Sequence, residues 1–324
     1  MPKYSVIVPV YNRPGELNEL LESLSQQTFR DFEVLIIEDG SLNKAVEIAE
    51  KWKTSLDLHY FYKENTGQGF SRNFGFSRAK GEYLLVFDSD CLVPEHYFEA
   101  VEKHLLKEPL DAWGGPDKAH PAFTPLQKAI SYSMTSLFTT GGIRGRKKRL
   151  GAFHPRSFNM GISRRVWEKT GGYIITRMGE DIEFSIRIIE QGFRTGLIEE
   201  AFVYHKRRTS LSQFYKQLHF FGRARINISR FFPEELKPVH AFPAAFVAGL
   251  FLYLLLPLLS LKLFCVATIL LVFYFLMIFV DATLENQSLR VGTLSVAAAF
   301  VQLWAYGTGF WQELVRKLKE EKKQ

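Results

Sequence analysis

Two cysteines are all that 324 residues hold. Cys91 and Cys265 cannot frame a disulfide scaffold, and so sparse a use fits a reducing compartment. Cys91 is expected to pack rather than react, since no motif around it marks a nucleophile. Internal repeats and low-complexity blocks are absent, which sets aside repeat architectures. No nucleic-acid module is recognisable, so the net charge of +7 is not assigned to DNA or RNA. No signal peptide is recognisable either: residues 1–3 run into an apolar stretch too short for a secretory h-region. The N-terminal domain is therefore expected on the cytoplasmic side. What the basic balance leaves is a membrane surface or anionic substrates. Its densest points are residues 144–149 (RGRKKR) and 206–208 (KRR), each equally compatible with a solvated loop.

What is present is an alternation. Residues 4–10 (YSVIVPV), 32–37 (FEVLII), 58–62 and 83–87 (YLLVF) have the apolar, β-forming composition of buried strands. Between them lie helical patterns. One opens at Pro14 with Leu17, Leu20, Leu21 and Leu24 on one face, one ends near Lys53, and one runs from Gly67 to about Ala79. Such a βαβαβαβ rhythm implies an α/β fold, a mostly parallel sheet with helices on both faces. Residues 116–238 are broken by Pro and Gly, with helices expected at 180–191 and 213–228. From about Val239 the composition turns apolar, and spans are expected near 241–261, 263–280 and 293–311. The chain thus divides into residues 1–115, 116–238 and 239–324.

Candidate chemistry clusters at the ends of the strands, where α/β sheets bind ligands. Pro9, Tyr11 and Asn12 close the first strand, Asp39 the second, and Asp88, Ser89 and Asp90 the fourth. Paired aspartates at a strand end suit a hard divalent cation shared with substrate phosphates; a capped turn is the alternative. Tyr11 can stack on a base and Asp39 can accept a base N–H. Residues 65–75 (NTGQGFSRNFG) form a glycine-containing entry to a helix, where Arg72 could face phosphate or only begin the helix. Glu180 and Asp181 open a later helix, either as a cap or with Asp181 as general base. His205 follows an apolar run and is open to a metal, phosphate or structural role.

Taken in order, these segments resemble family 2 glycosyltransferases of the GT-A fold. The resemblance rests on SVIVPVYNR (5–13), SQQTFRDFEVLIIEDGS (25–41), ENTGQGFSRNFG (64–75), AKGEYLLVFDSD (79–90), NMGISRRVWEKTGGY (159–173) and GEDIEFSIRIIEQGF (179–193). It covers about the first 210 residues. It implies a nucleotide-diphosphosugar donor, a UDP-sugar foremost, a divalent metal (Mg2+ or Mn2+) and inversion at the anomeric carbon. Asp39 matches the base-recognising aspartate, Asp88 the first and Asp90 the metal-binding residue of the D-x-D, and Asp181 the catalytic base of the E-D pair. His205 resembles, more loosely, a metal-site histidine after the last strand. Asn159, Gly161 and Glu180 fall in the acceptor or catalytic neighbourhood. Two departures stand out. Glu38 replaces the first aspartate of the usual D-D-G-S. The Q-x-x-R-W of processive synthases is missing, since residues 213–225 hold Gln and Arg at other spacings.

The implied activity is transfer of a sugar to a lipid-linked or membrane-adjacent acceptor in cell-envelope polysaccharide or glycolipid assembly, by a multi-pass inner-membrane protein with a cytoplasmic catalytic domain. A nucleotidyltransferase and a degenerate nucleotide-sugar-binding module are the alternatives. The number of crossings is open between two and three. The tail carries Arg316, Lys317, Lys319, Lys322 and Lys323, while residues 281–292 lack a basic excess. An even number, with a cytoplasmic tail, is expected from that charge pattern. Residues 243–257 would then lie at the interface or re-enter, leaving 258–280 and 294–310 to cross.

Overall fold

The computed structural model describes residues 1–140 and 153–322. The basic cluster at 144–149 and Lys323 lie outside the described residues. In chain order, the first part comprises β1 (Tyr4–Val10), α1 (Pro14–Ser25), β2 (Phe32–Asp39), α2 (Val46–Trp52), β3 (Leu58–Lys63), α3 (Gln68–Phe76), β4 (Tyr83–Phe87), β5 (Cys91–Leu92), α4 (Tyr97–Lys107), β6 (Ala112–Gly114) and β7 (Asp117–Lys118). Then come α5 (Pro125–Thr135), α6 (Leu137–Thr140), β8 (Asn159–Ser163), α7 (Arg164–Thr170), α8 (Glu180–Glu190), β9 (Thr195–Leu197) and β10 (Val203–His205). Four helices follow: α9 (Leu211–Ile228), α10 (Pro238–Leu259), α11 (Leu261–Asn286) and α12 (Leu289–Glu321).

The first unit comprises Met1–His120 and the described residues from there to Lys206 that follow α6. Its seven-stranded sheet has the order β3-β2-β1-β4-β8-β6-β9. Among its paired strands only β8 runs against its neighbours. The two-residue period of the strands sorts their side chains into two cores. On one face Val6 and Val8 join Val34, Ile36, Leu85 and Phe87 beneath α1 and α4. On the other, Ile7 joins Leu35, Ile37, Leu84 and Val86 beneath α3, α7 and α8. The expected α1 face is the observed one: Leu17, Leu20, Leu21 and Leu24 are its buried residues. A second, three-stranded sheet, β5-β10-β7, lies beyond the end of β4. It is built from strands of two or three residues, too short to register as periodicity.

The second unit holds residues from Pro121 to α6 together with everything from Arg207 onward. These compact units divide the chain differently from the expected functional parts 1–115, 116–238 and 239–324. The segment after Pro121 and helix α9 pack with the C-terminal helices because their apolar faces meet α12: Ile130, Met134, Phe214 and Leu218 share one cluster with Ala298 and Ala305. The three apolar runs become helices α10, α11 and α12, each long and apolar enough to cross a membrane. The first is continuous from Pro238 to Leu259, and the chain breaks at Ser260. The segment 243–257, expected to lie at the interface or re-enter, is part of this helix, with Pro243 and Pro257 inside it.

Candidate active site

Parallel β1, β2, β3 and β4 all deliver their C-terminal ends to one edge, so residues distant in sequence meet there. Asn12 leaves β1 in a left-handed conformation (φ 54°). Its side-chain oxygen accepts from the Leu42 and Asn43 amides at 2.9 and 3.0 Å, which ties the loop after β1 to the loop after β2. Tyr11 beside it stands half-exposed, and Pro9 is partly buried under it.

Asp39 ends β2 directly opposite Lys63 at the end of β3. Its carboxylate pairs with the Lys63 ammonium and accepts the Thr66 and Gly67 amides, each at 2.9 Å. Burial pushes the Asp39 carboxyl upward, but Lys63, the Thr66 amide and Ser71 outweigh it and hold the pKa below the ordinary range. Both oxygens of the expected base-recognising residue are thus engaged in shaping the loop before α3. Lys63 escaped the sequence analysis, although the strand-end rule that found Asp39 also points to it.

Asp88 and Asp90 diverge after β4. Asp88 faces Arg72, whose guanidinium also reaches Glu180, with N···O distances of 2.9 and 3.3 Å. Arg72 is fully buried. Its guanidinium bridges two carboxylates, one from α8 and one at the β4 end. Asp90 is 5% exposed and turns the other way, toward His205 and Arg13. Strand β10 pairs with β5 so that His205 lies opposite Cys91, one residue from Asp90. The result is a His205 Nε2 to Asp90 Oδ1 distance of 3.0 Å across 115 residues of sequence. Phe158 stacks on the imidazole at 5.2 Å and fixes its plane. Asp90 Oδ2 takes the Arg13 guanidinium at 2.6 Å.

Asp90, Cys91 and His205 offer ligand atoms within 4.8 Å of one another, a spacing that a single cation can bridge. Cys91 fits poorly as a third ligand. Burial and the neighbouring aspartates push its thiol well above the ordinary value, and its Sγ donates to the Phe158 carbonyl. It packs, as expected. Ser89 is buried between the two aspartates in the turn.

Glu180 and Asp181 open α8. Burial, and then the Asp181 charge, push the Glu180 carboxyl above its ordinary value against the pull of Arg72. The Gln68 amide donates to it. Asp181 is more open, with Oδ2 3.3 Å from an Arg156 amine and Oδ1 accepting the Ile182 amide. Gln68, Arg156 and Arg13 were not singled out from sequence. Arg13 stood inside a quoted motif, whereas nothing in the sequence around Arg156 marks it.

Two residues expected in the acceptor or catalytic neighbourhood are built into the sheet. Asn159 is fully buried; its side chain accepts from Tyr97 Oη at 2.7 Å and donates to the Ala201 carbonyl at 2.8 Å. Gly161 lies under the Trp113 ring, which a Cβ would meet at 2.2 Å. Both hold β8 in the sheet and so position the site.

The family described as Glycosyl transferase family 2 matches residues 5–171. The chain belongs to glycosyl transferase family 2. Among relatives, it is 40% identical over 94 residues to the poly(ribitol-phosphate) β-N-acetylglucosaminyltransferase TarS of Staphylococcus aureus, a stretch covering 28% of this chain and 16% of TarS. The aligned part is thus under a fifth of that relative. In fold, the chain is similar to the mannosyltransferase PcManGT of Pyrobaculum calidifontis, solved with GDP-Man and Mn2+: TM-score 0.63, 18% identity, 94% of this chain and 87% of that one. It is also similar to S. aureus TarS 1-349 in complex with UDP-GlcNAc, at TM-score 0.52 and 18% identity over 95% and 90% of the two chains. These likenesses confirm the GT-A fold expected for this family 2 chain.

Proposed function

We propose that this chain is a membrane-bound, metal-dependent inverting glycosyltransferase. It moves a sugar from a nucleotide-diphosphosugar, a UDP-sugar foremost, to a lipid-linked or membrane-adjacent glycan acceptor in cell-envelope polysaccharide or glycolipid assembly. Its catalytic domain faces the cytoplasm at the inner membrane. The observation that carries the proposal is the meeting of Asp90 with His205 at one sheet edge, across 115 residues of sequence.

Asp90 and His205 are the residues that would hold a divalent cation, and a carboxylate with an imidazole suits Mn2+ better than oxygen-seeking Mg2+. When bound, the cation supplies charge neutralisation for the leaving diphosphate. Asp39 receives the base by sharing or exchanging its contact with Lys63. Asp181 Oδ2 takes the acceptor hydroxyl proton, and Arg156, 3.3 Å away, holds that oxygen in place. The acceptor oxygen then bonds the anomeric carbon as the bond to the diphosphate breaks, with its electron pair leaving on the diphosphate. Glu180, held by Gln68 and Arg72, fixes the start of α8 and so the position of Asp181. The nucleotidyltransferase alternative leaves the Glu180–Asp181 pair without work.

A panel of nucleotide sugars, scored by diphosphate release with and without Mn2+ or Mg2+, tests the proposal. One donor should release diphosphate in a metal-dependent manner. Asp90→Ala, still folded, should lose metal-dependent donor binding by calorimetry. No release from any donor in the presence of membrane extract containing acceptors would sink the transferase reading.

A further inference from the structure

We infer that only two of the three long apolar helices cross the bilayer. Helices α10 and α11 do so as a hairpin, and α12 lies along the membrane surface with both its ends on the side from which α10 enters. The inference rests on the membrane reading proposed above and deepens it.

Burial separates the three helices. Of the most apolar window of each, 17% of α10 and 6% of α11 is buried, against 44% of α12. On α10 only His240, Ala244 and Val247 are buried, and on α11 only Ile278 and Ala282. The outer parts of these two helices meet each other through the Tyr253–Phe264 stack and the Tyr253–Thr268 hydrogen bond at 3.0 Å, and Phe251 also reaches Trp304 of α12. Leu252, Leu254, Leu258, Leu261, Ile269 and Leu270 face outward, more than half exposed. With 22 and 26 residues, the helices reach about 33 and 39 Å, enough for a hydrocarbon core of roughly 30 Å.

Helix α12 crosses the bases of α10 and α11, where the Trp311 indole donates to the Ala244 carbonyl at 2.9 Å, and its longest cover is a helix rich in charge. It runs alongside α9, which carries Lys216, His219, Arg223 and Arg225. The contact is intimate: a Cβ on Gly222 of α9 would meet the Tyr306 carbonyl at 2.1 Å. Further along, Glu313 and Glu320 of α12 pair with Arg223 and Arg230 of the α9 end. Arg230 is only eight residues before α10 begins, so Glu320 shares the entry side. The start of α12 is fixed to the same side by α11. Asp281, in the last turns of α11, accepts from Tyr132 of α5 at 2.6 Å. Helix α5 has 11 residues, too few to cross, and its Gln127 bonds the Arg207 carbonyl just before α9.

A groove of about 1100 Å³ between α10 and α12 marks the same boundary. Val247, Phe251, Leu252 and Trp311 line it together with Lys319 and the Arg316–Glu320 pair. An apolar floor passing into cations and a tryptophan is the profile of the headgroup layer, where such residues anchor.

The full chain with Cys265→Ser, leaving only buried Cys91, would carry single cysteines at Glu47, Lys262 or Lys322. A membrane-impermeant maleimide is applied to intact and then permeabilised cells. Lys322→Cys should label with Glu47→Cys of the catalytic unit, and Lys262→Cys at the hairpin tip on the opposite side. Labelling of Lys322→Cys opposite Glu47→Cys, or of Lys262→Cys together with it, overturns the inference. Recovery of all variants in the soluble fraction would overturn the membrane reading itself and this inference with it, a pattern the labelling failures do not produce.

Discussion

Two glutamates, one in each unit, are equally buried and differently supplied. Glu313, at 3% exposure, has the Arg223 and Arg230 guanidinium groups at 3.1 and 3.2 Å, with no acidic neighbour beside it in sequence. Glu180, at 4%, shares one guanidinium with Asp88, takes an amide from Gln68, and sits next to Asp181. The first is a matched strut between helices. The second belongs to a cluster with more negative charge than its arginines balance. Burying charge without full compensation costs stability, and such a cost is commonly met at functional sites. The contrast locates chemistry in the first unit and scaffolding in the second.

The contrast can be broken at three points. The largest effect is expected from Asp181→Asn, which keeps the shape and removes the proton acceptor. Turnover should fall by roughly 10²–10⁴-fold with donor binding intact, by the usual worth of a general base; a near wild-type rate would reduce Asp181 to a helix cap. Next comes Glu313→Ala. It strands Arg223 and leaves Arg230 with Glu320 alone, and should cost about 1–2 kcal/mol, below the full buried-pair penalty because Arg230 keeps a partner and both arginines retain some solvent. Denaturant unfolding in detergent measures this, and an unchanged midpoint would mean the strut carries no stability.

The smallest effect is expected from Glu180→Gln. Burial raises the folded-state pKa of Glu180 above its ordinary value of 4.5. The folded state therefore binds that proton more tightly than the unfolded one. Its contribution to stability grows as pH falls through the raised value and is complete below about 4.5. Glutamine should remove this part of the pH dependence while leaving stability at pH 7 equal or slightly higher. Unfolding followed from pH 7 to 4 checks the slope, and a steeper acid gain in the variant would contradict the assignment.

The parallel sheet was legible because its central strands are long, apolar and ended by polar residues, as Val86–Phe87 before Asp88 illustrates. Asp90 was legible for the same reason. Its engagement by Arg13 and the bridging role of Arg72 were not, because burial and partner choice depend on contacts that no local pattern encodes. What Asn159 and Gly161 pack against was not legible either: an amide satisfied by Tyr97 and Ala201, and a hydrogen atom where Trp113 leaves no room. The small sheet that brings His205 to Asp90 is made of strands too short to leave a period. In the second unit, composition revealed apolar helices but not that α9 would cover one of them.

The pairing of His205 with Asp90 has a consequence for the order in which the chain is made. When the ribosome has released β1 to β4, the aspartates are present, yet the imidazole is still more than a hundred residues from being synthesised. The acid cluster also waits, because α8 follows β8. A nascent chain can therefore build its sheet edge early and remain chemically mute. The last piece of the edge, β10, emerges shortly before α9 and the apolar hairpin. Completion of the edge and synthesis of the apolar hairpin thus fall within the same short interval of translation, and a chain interrupted before that point has its aspartates without the imidazole.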